Sequence, residues 1–342
     1  SLEQIEAEQW HGITGRAYPF LRDEFLYGLE QTGCTTADTG RQPCHLLLHD
    51  ASGLLAVMPL YLKSHSYGEY VFDWSWADAW RGSGLDYYPK LVTAIPFTPA
   101  TGPRLCVRDK ADVGTTWQQA MQAVREFAQR QEISSWHVLF PEQEVSQQLL
   151  QLDMHRRVAT QFHWFNEGYT TFDDFLAGFT SRKRKSLKRE RARVAEQGLR
   201  LSTLQGEEIG EQEWRQFYHF YQMTYAKRSG HGGYLNRAFF TETAPSLGQQ
   251  VVMVLAHLEE TAVAGALYFR SDDTLYGRYW GCDEPVDCLH FEVAYYSGIQ
   301  RCIDRGIPLF EAGAQGEHKL LRGFLPASTY SSHWIRDRAL SR

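Results

Sequence analysis

The chain has 342 residues, 43% of them hydrophobic and 14% aromatic, which is enough for two ordinary domain cores. No run approaches the ~20 apolar residues of a membrane span, and the start shows no basic segment followed by an apolar one, so we expect no membrane insertion and no signal peptide. The six cysteines form no CxxC pair, which favours free thiols in the cytoplasm.

The net charge of −6 is unevenly distributed. Residues 182–193 carry eight basic side chains and one acidic one, so this segment has a charge of +7 and the rest of the chain −13. A concentrated positive segment on an acidic body indicates a local anion site rather than a general nucleic-acid surface.

The first half of the chain is predicted to alternate helices and strands. Hydrophobic periodicity and turn residues predict helices at 20–29, 115–130 and 142–152, and strands at 45–49, 54–62, 91–95 and 136–140. The turn Asp50–Gly53 joins the first two strands, and prolines and a glycine between Pro96 and Pro103 predict a loop.

The second half repeats this order of element types without a residue-level repeat. Strands are predicted at 161–165, 199–204, 250–257, 262–269, 275–281 and 308–311, and helices at 181–197, 213–227 and 289–305. Gly198 and Gly306 are predicted to end two of these helices. We place the domain boundary between residues 157 and 158, with the basic helix 181–197 in the second domain. Mixed sheets flanked by helices place both halves in the α/β (α+β) class.

Two motifs carry charge in patterns that suit chemistry. On the basic helix, Arg182, Lys185 and Arg189 share a face, and guanidinium groups match the geometry of phosphate. The alternative is a solvated face that packs through its few apolar residues. The second motif, GAQGEHK at 313–319, follows the last predicted strand and offers Glu317, His318 and Lys319 beside flexible glycines. A structural turn with exposed charges is the alternative.

These two motifs, together with LYGRYWG at 275–281, LHFE at 289–292 and RGF at 322–324, resemble the FemAB-like branch of the GNAT acyltransferases over nearly the whole chain. The resemblance implies two tandem GNAT-like domains, each a mixed, mostly antiparallel sheet flanked by helices. It implies transfer of an acyl or aminoacyl group to an amine acceptor, such as a cell-wall precursor, from acyl-CoA or aminoacyl-tRNA. The sequence lacks a clear Gln/Arg-x-x-Gly-x-Gly/Ala loop, which puts dependence on CoA in doubt.

Roles can be assigned to individual residues on this interpretation. Acyl transfer to an amine needs a base and a group that stabilises the oxyanion. We expect Glu317 or Glu311 to act as base with His318 as the alternate, and Tyr279 to protonate the leaving group. Further residues are expected to bind the anionic donor: Lys319, Arg278, Arg322, Arg182, Lys185 and Arg189.

The predicted strand at 275–281 alternates, so Tyr276, Arg278 and Trp280 are expected on one face and Gly277, Tyr279 and Gly281 on the other. In the GNAT fold that this sequence resembles, a splayed strand of this kind receives the acyl donor. The alternative for its aromatic residues is a cross-strand packing surface.

In the first half, the aromatic stretch Tyr70–Trp80 could hold a cationic amine, with Asp73 as an ion-pair partner if it is buried. The alternative for its tryptophans is a packed core. Arg104 follows a Gly-Pro turn that resembles one near the substrate in Fem-type proteins. Cys282, Cys288 and His290 do not have the spacing of a metal site, so we expect no metal.

Two other functions remain open. A non-catalytic protein could bind a phosphate-bearing ligand, either tRNA or a peptidoglycan precursor, through the basic helix. A plain acetyl-CoA-dependent enzyme is the second alternative. The oligomeric state and the pathway are left open by the sequence.

Overall fold

The computed structural model describes residues 1–230, 232–314 and 316–337. The described chain folds into two compact units, the first made of Ser1–Thr160 together with residues 328–337, the second of Gln161–Ala327. The boundary predicted at 157/158 falls inside a strand, β8 (His155–Phe165), and the C-terminal strand, β14 (Leu325–Ile335), returns its last residues to the first unit.

The first unit combines helices with two sheets. Its helices are α1 (Ala7–Thr14), α2 (Asp23–Gln31), α3 (Trp74–Gly82), α4 (Val113–Arg130) and α5 (Gln143–Gln151). Its strands are β1 (Arg41–Pro43), β2 (Leu46–Asp50), β3 (Gly53–Met58), β4 (Tyr61–Lys63), β5 (Lys90–Thr93), β6 (Cys106–Val107) and β7 (Ser135–Leu139). Strands β1, β4, β5, β7 and β14 lie side by side in that order, and β2, β3 and β6 form a small antiparallel sheet.

The core of the first unit forms because α4 places apolar residues at helical spacing against the sheets. Trp117, Met121 and Val124 are buried with Trp136 of β7 and Leu91 of β5. Asp112 caps the N-terminus of α4 by accepting from the backbone N–H of Thr115 at 2.7 Å. The aromatic stretch for which the sequence predicted no element contains α3.

The second unit is built on one sheet. Its helices are α6 (Phe172–Ala177), α7 (Ser181–Glu196), α8 (Glu211–Ser229), α9 (Ala244–Ser246), α10 (Leu289–Phe291) and α11 (Ser297–Arg305). Its strands are β9 (Leu199–Gln205), β10 (Val251–Leu258), β11 (Thr261–Arg270), β12 (Thr274–Cys282) and β13 (Leu309–Glu311), with the end of β8 beside β13. Neighbouring strands are antiparallel except β12 and β13, which are parallel.

Two π-helices, whose turns are wider than those of an α-helix, lie next to the short helices of this unit. A π-helix at Phe239–Thr243 precedes α9, and another at Glu292–Tyr296 joins α10 to α11. Wide turns of this kind often occur at functional sites. The basic helix and the last helix both end as predicted, because Gly198 and Gly306 adopt the positive φ angles, +78° and +64°, that favour glycine.

The two faces of this sheet are covered by different helices. Leu187 and Val194 of α7 are buried with Tyr296 and Ile299 on one face. Helix α8 packs closely on the other, where a Cβ added to Gly281 would lie 2.1 Å from the carbonyl oxygen of Phe220. We refer to these as the α11 face and the α8 face.

Candidate active site

Strands β12 and β13 begin side by side and then separate. Their parallel pairing runs from Thr274 opposite Leu309 to Tyr276 opposite Glu311. Strand β13 ends there, whereas β12 continues to Cys282. After β13 the chain turns at Gly313, whose φ is +84°. Beyond Tyr276, strand β12 therefore continues along an edge that β13 no longer covers.

Three side chains line up across the end of this pairing. Glu311 lies opposite Tyr276 of β12 on one side and opposite His163 of β8 on the other. Directly opposite residues point to the same face of a sheet, here the α8 face. All three are buried, and Glu311 is only 6% exposed. Burial lowers the pKa of His163 to about 4, with a further contribution from the charge of Lys319, so this imidazole is neutral near pH 7.

A bulge changes the direction of the side chains that follow on β12. Tyr268 lies opposite Gly277 and Leu267 opposite Tyr279, which leaves Arg278 as the extra residue. The predicted placement of Gly277 and Tyr279 on one face is therefore wrong, because an inserted residue reverses the alternation after it. Tyr279 reaches the α8 face, where its ring contacts that of Tyr221 at a centroid distance of 5.4 Å.

Lys319 is buried beside this group of residues. It is 1% exposed, and its Nζ donates to the carbonyl oxygen of Gly313 at 2.9 Å, which folds the glycine-rich loop back on itself. Burial, together with the positive charge of Arg278, lowers the pKa of Lys319 to about 8. The structure thus gathers Lys319, Arg278, Glu311 and Tyr279 of the predicted site at the end of β13.

The other charged residues of the loop lie closer to solvent. Residues 317–322 form a 3₁₀-helix in which Glu317 and His318 are exposed. His318 Nε2 is 3.0 Å from the hydroxyl of Tyr295, and its ring also contacts Phe291. Burial and the charges of Arg322 and Lys319 lower the pKa of His318. Gln315 of the motif lies outside the described residues.

Arg322 connects the loop to the basic helix. Its Nη2 is 3.1 Å from a carboxylate oxygen of Glu190, and its guanidinium lies 3.3 Å from the centroid of the Phe291 ring. The hydroxyl of Tyr296 donates to the same Glu190 carboxylate at 2.5 Å. The glycine-rich loop and the basic helix are therefore neighbours, as the functional hypothesis requires.

Part of the positive charge on the basic helix is uncompensated. Arg182, Lys185 and Arg189 are exposed, and among the described residues none of the three forms an ion pair with a carboxylate. Farther along, Arg191 pairs with Glu292 at 3.0 Å. The positive end of the helix dipole adds to the potential around its first turn. This surface can attract an anionic group.

Asp73 lies in the first unit, within a buried polar network. One of its carboxylate oxygens accepts from Lys90 Nζ at 2.5 Å and from the Tyr87 hydroxyl at 2.6 Å. These contacts lower the pKa of Asp73 despite its burial, with the charge of Lys90 as the largest favourable cause. The stretch around Asp73 also leaves Phe72 and Trp74 exposed on the surface.

The same network continues through two histidines. The Nδ1 atoms of His137 and His333 are 2.7 Å apart, and His137 Nε2 is 2.9 Å from the hydroxyl of Tyr87. Burial lowers the pKa of both histidines far below the usual range, so both are neutral. Because Tyr87 already donates to Asp73, His137 must donate from Nε2 and accept at Nδ1 from His333.

Arg104 has a structural role in the first unit. Its guanidinium is 1% exposed and donates to backbone carbonyl oxygens, among them Leu139 at 2.6 Å and Ala100 at 2.6 Å, with Gly102 and Pro103 also in contact. These bonds hold the Pro-rich loop and leave little donor capacity for a ligand. We therefore leave Arg104 out of the site proposed below.

Sequence reasoning missed two residues of the site. His163 was read only as part of a strand, and its polar ring among apolar neighbours was the available signal. Glu190 was counted only as the single acid of the basic segment. Among the described residues no group of three or more His, Cys, Asp or Glu side chains could hold a metal ion. None of the described helices combines the length and apolarity needed to cross a bilayer.

Comparison with known proteins supports the fold and the family. Residues 1–342 match the FemAB-like family, described as peptidoglycan biosynthesis/recognition. FemX superposes with a TM-score of 0.60 at 10% identity, over 98% of this chain and 97% of that one. L-PGS from Bacillus licheniformis superposes with a TM-score of 0.54 at 11% identity, over 94% of this chain and 93% of that one. A conserved protein of unknown function from Bacteroides thetaiotaomicron superposes with a TM-score of 0.56 at 10% identity, over 96% of this chain and 97% of that one. No curated protein sequence matches the chain.

At such low identity, these structural likenesses establish the fold alone. They confirm the predicted fold class, a mixed α/β fold. The match over the full length confirms the predicted family.

Proposed function

We propose, from the premise that this chain belongs to the FemAB-like family, that it is an N-acyltransferase whose site lies in the second unit. It would move an acyl or aminoacyl group from an anionic carrier, acyl-CoA or aminoacyl-tRNA, to an amine. A cell-wall precursor would supply that amine. The family and the fold support a transferase-like role, and the donor and acceptor belong to the proposal.

The observation that carries the proposal is the group of buried ionisable side chains where β12 and β13 separate. Lys319 and Glu311 are 1% and 6% exposed, and Arg278 is close enough to lower the pKa of Lys319. Burying charges costs free energy unless they are paired or hydrogen-bonded, and buried ionisable groups with shifted pKa values cluster at functional sites. Ionisable groups beside an uncovered strand edge match what acyl transfer needs, because the edge can receive the donor in extended form.

Each residue has a role in this chemistry. The acceptor ammonium loses a proton to Glu311, and its nitrogen then forms a bond to the acyl carbon. The bond from that carbon to the sulfur or oxygen of the carrier breaks as Tyr279 gives the leaving atom a proton. The second proton lost by the nitrogen then restores the Tyr279 hydroxyl, and Glu311 releases its proton to solvent. Lys319 and Arg278 stabilise the negative charge that develops on the carbonyl oxygen.

Glu311 is preferred over Glu317 as the base because of position. Glu311 lies in register with Tyr276 at the point of separation, whereas Glu317 is exposed on the 3₁₀-helix. His318 remains the alternate, since its lowered pKa leaves it neutral and able to accept a proton.

The carrier's phosphates are assigned to the basic surface. Arg182, Lys185 and Arg189 are exposed without carboxylate partners in the part of the chain that is described. Arg322 would act from the loop. The ion pair with Glu190 joins the loop to the helix, so carrier binding at α7 would be linked to the chemistry at β13 through the segment that carries Lys319.

Donor binding and transfer can be tested together. Melting temperatures would be measured with acetyl-CoA and with alanyl-tRNA, because a ligand that binds only the folded state raises this temperature. We expect one donor to stabilise the protein. Lys319→Met, which keeps the apolar stem, and Arg278→Gln should remove that stabilisation, whereas Arg130→Ala on the exposed end of α4 should not.

An assay of acyl transfer distinguishes an enzyme from a non-catalytic binding protein. Glu311→Gln should retain the donor-induced stabilisation and lose formation of an acylated amine product, detected by mass spectrometry. A wild-type protein that binds a donor without transferring its acyl group to any tested amine would instead support a binding protein that uses the basic helix. If neither donor shifts the melting temperature, the proposal fails.

A further inference from the structure

A cavity of about 620 Å³ opens on the α11 face of the second unit. It is bounded by Arg301 and Arg305 on α11, Gln205 at the end of β9, and Arg270 at the end of β11. Glu311 and His163 of the proposed active site point to the opposite face of the sheet. The cavity is therefore separate from the acyl-transfer site.

Three guanidinium groups and the carboxylates of Glu207 and Glu208 line this cavity, and among the described residues neither Arg301 nor Arg305 has a carboxylate within ion-pair distance. Arg270 has one carboxylate nearby, Asp272 at 3.7 Å, whose side chain is 97% exposed and is therefore a weak partner. In the part of the chain that is described, Arg305 forms no ion pair. Burial lowers the pKa of Arg301, and the charges of Arg305 and Arg270 lower it further.

Arg301 is also incompletely satisfied. One of its terminal nitrogens donates to the side-chain oxygen of Gln205, which holds the guanidinium in place, and the side-chain nitrogen of Gln205 donates in turn to the carbonyl of Gln249 at 2.6 Å. The Nε of Arg301 is buried without a hydrogen-bond partner among the described residues. A buried donor without a partner costs free energy. An anion bound in the cavity would stabilise the positive charge of the same guanidinium, which is one of three beside the cavity.

The size and lining of the cavity restrict the ligand. Its volume is within the range of small-molecule sites. Guanidinium groups donate to phosphate oxygens in a fork, which makes phosphate the best match for three arginines. Thr203 and the exposed Glu207 and Glu208 can contact hydroxyl groups. The two carboxylates would repel the many phosphates of an extended polyanion such as RNA.

We infer that this cavity binds the phosphate of a phosphorylated sugar or nucleotide, independently of acyl transfer. The three arginines hold the phosphate, and the polar groups around them bind the sugar hydroxyls.

Calorimetric titration of the full chain with inorganic pyrophosphate and ribose 5-phosphate, with ribose as the uncharged control, tests this inference. We expect both phosphates to bind and ribose not to bind. Arg305→Gln should weaken binding about tenfold or more, since it removes one charge-assisted contact. Glu207→Gln should strengthen binding severalfold, because it removes a repelling charge from the rim. Arg200→Gln, at an exposed position on β9, should leave binding unchanged.

Arg305→Gln and Glu207→Gln are expected to change the affinity in opposite directions. A folding defect cannot explain both results, because a misfolded protein would not bind more tightly. Pyrophosphate binding that is abolished by Lys319→Met and unaffected by Arg305→Gln would place the phosphate at the donor site and overturn the inference. So would the absence of saturable binding at millimolar phosphate. Binding of a single-stranded RNA oligonucleotide that depends on Arg305, without binding of pyrophosphate, would also overturn it.

Discussion

The guanidinium of Arg322 and the carboxylate of Glu190 form an ion pair at 3.1 Å, with side chains that are 7% and 19% exposed. Glu190 is the only acid among the basic residues 182–193. The pair joins the helix that carries the positive charge to the loop that carries Lys319. Glu190, which lowers the net positive charge of the basic helix, therefore also holds that helix against the segment that contains Lys319.

Glu190→Gln is expected to destabilise the protein by about 2 kcal/mol, because it leaves the buried Arg322 charge without a partner. The change would be measured as a fall in melting temperature. Asp173→Asn is the matched control, since Asp173 on α6 pairs with Lys188 on the same helix as Glu190, and that pair is largely exposed. A fall of equal size in both variants would contradict a special role for Glu190.

Acyl transfer should lose rate as the pH rises through about 8. The lowered pKa of Lys319 means that the ammonium is charged below about pH 8 and neutral above it. If the charge stabilises the oxyanion, the rate falls with deprotonation. Lys319→Arg should move this fall beyond the measurable range, because arginine stays protonated. An unchanged alkaline limb in that variant would remove Lys319 from the chemistry.

Acid should destabilise the first unit before it protonates ordinary carboxylates. The pKa values of His137 and His333 are far below that of a histidine in the unfolded chain, about 6.5. Below that pH, the unfolded state binds protons that the folded state excludes, so stability falls with pH by up to about 1.4 kcal/mol per unit for each histidine.

Melting temperature as a function of pH, between about 7 and 5, measures this effect. The double variant His137→Asn with His333→Asn keeps hydrogen-bonding groups that do not titrate, so its slope should be shallower even if it is less stable overall. The groups that face these histidines, Asp73, Lys90 and Arg157, stay in place in both proteins. Equal slopes would refute the assignment of neutral, buried histidines.

Gly281→Ala should destabilise the second unit by about 1–3 kcal/mol, since the new methyl group would overlap the backbone oxygen of Phe220 on α8. Gly12→Ala on α1 is the control, because a Cβ there meets no atom within 4 Å. That change should stabilise slightly, by about 0.5–1 kcal/mol, because alanine favours helix. Thermal unfolding of both variants checks the pair, and similar effects at the two positions would count against close packing of α8.

The bounds of the basic helix could be predicted from local sequence alone. Its bounds were predicted at 181–197 and observed as Ser181–Glu196, because Thr180 caps the start and Gly198 adopts the left-handed conformation after the end. Caps and periodicity act over a few residues, so the sequence displays them directly. The strands β10 and β11 and the helix α8 were predictable for the same reason.

By itself, then, the sequence determined most of the helices of eight or more residues, most strands, the family and the motif that contains Lys319. Only the tertiary structure decided that Arg278 bulges out of β12, that Glu311 lies opposite both Tyr276 and His163, and that β14 returns to the first unit. Strand register and burial depend on residues far apart in the chain, and no local pattern records them. For that reason the sequence supplied the ionisable groups, and the fold decided which of them are buried together.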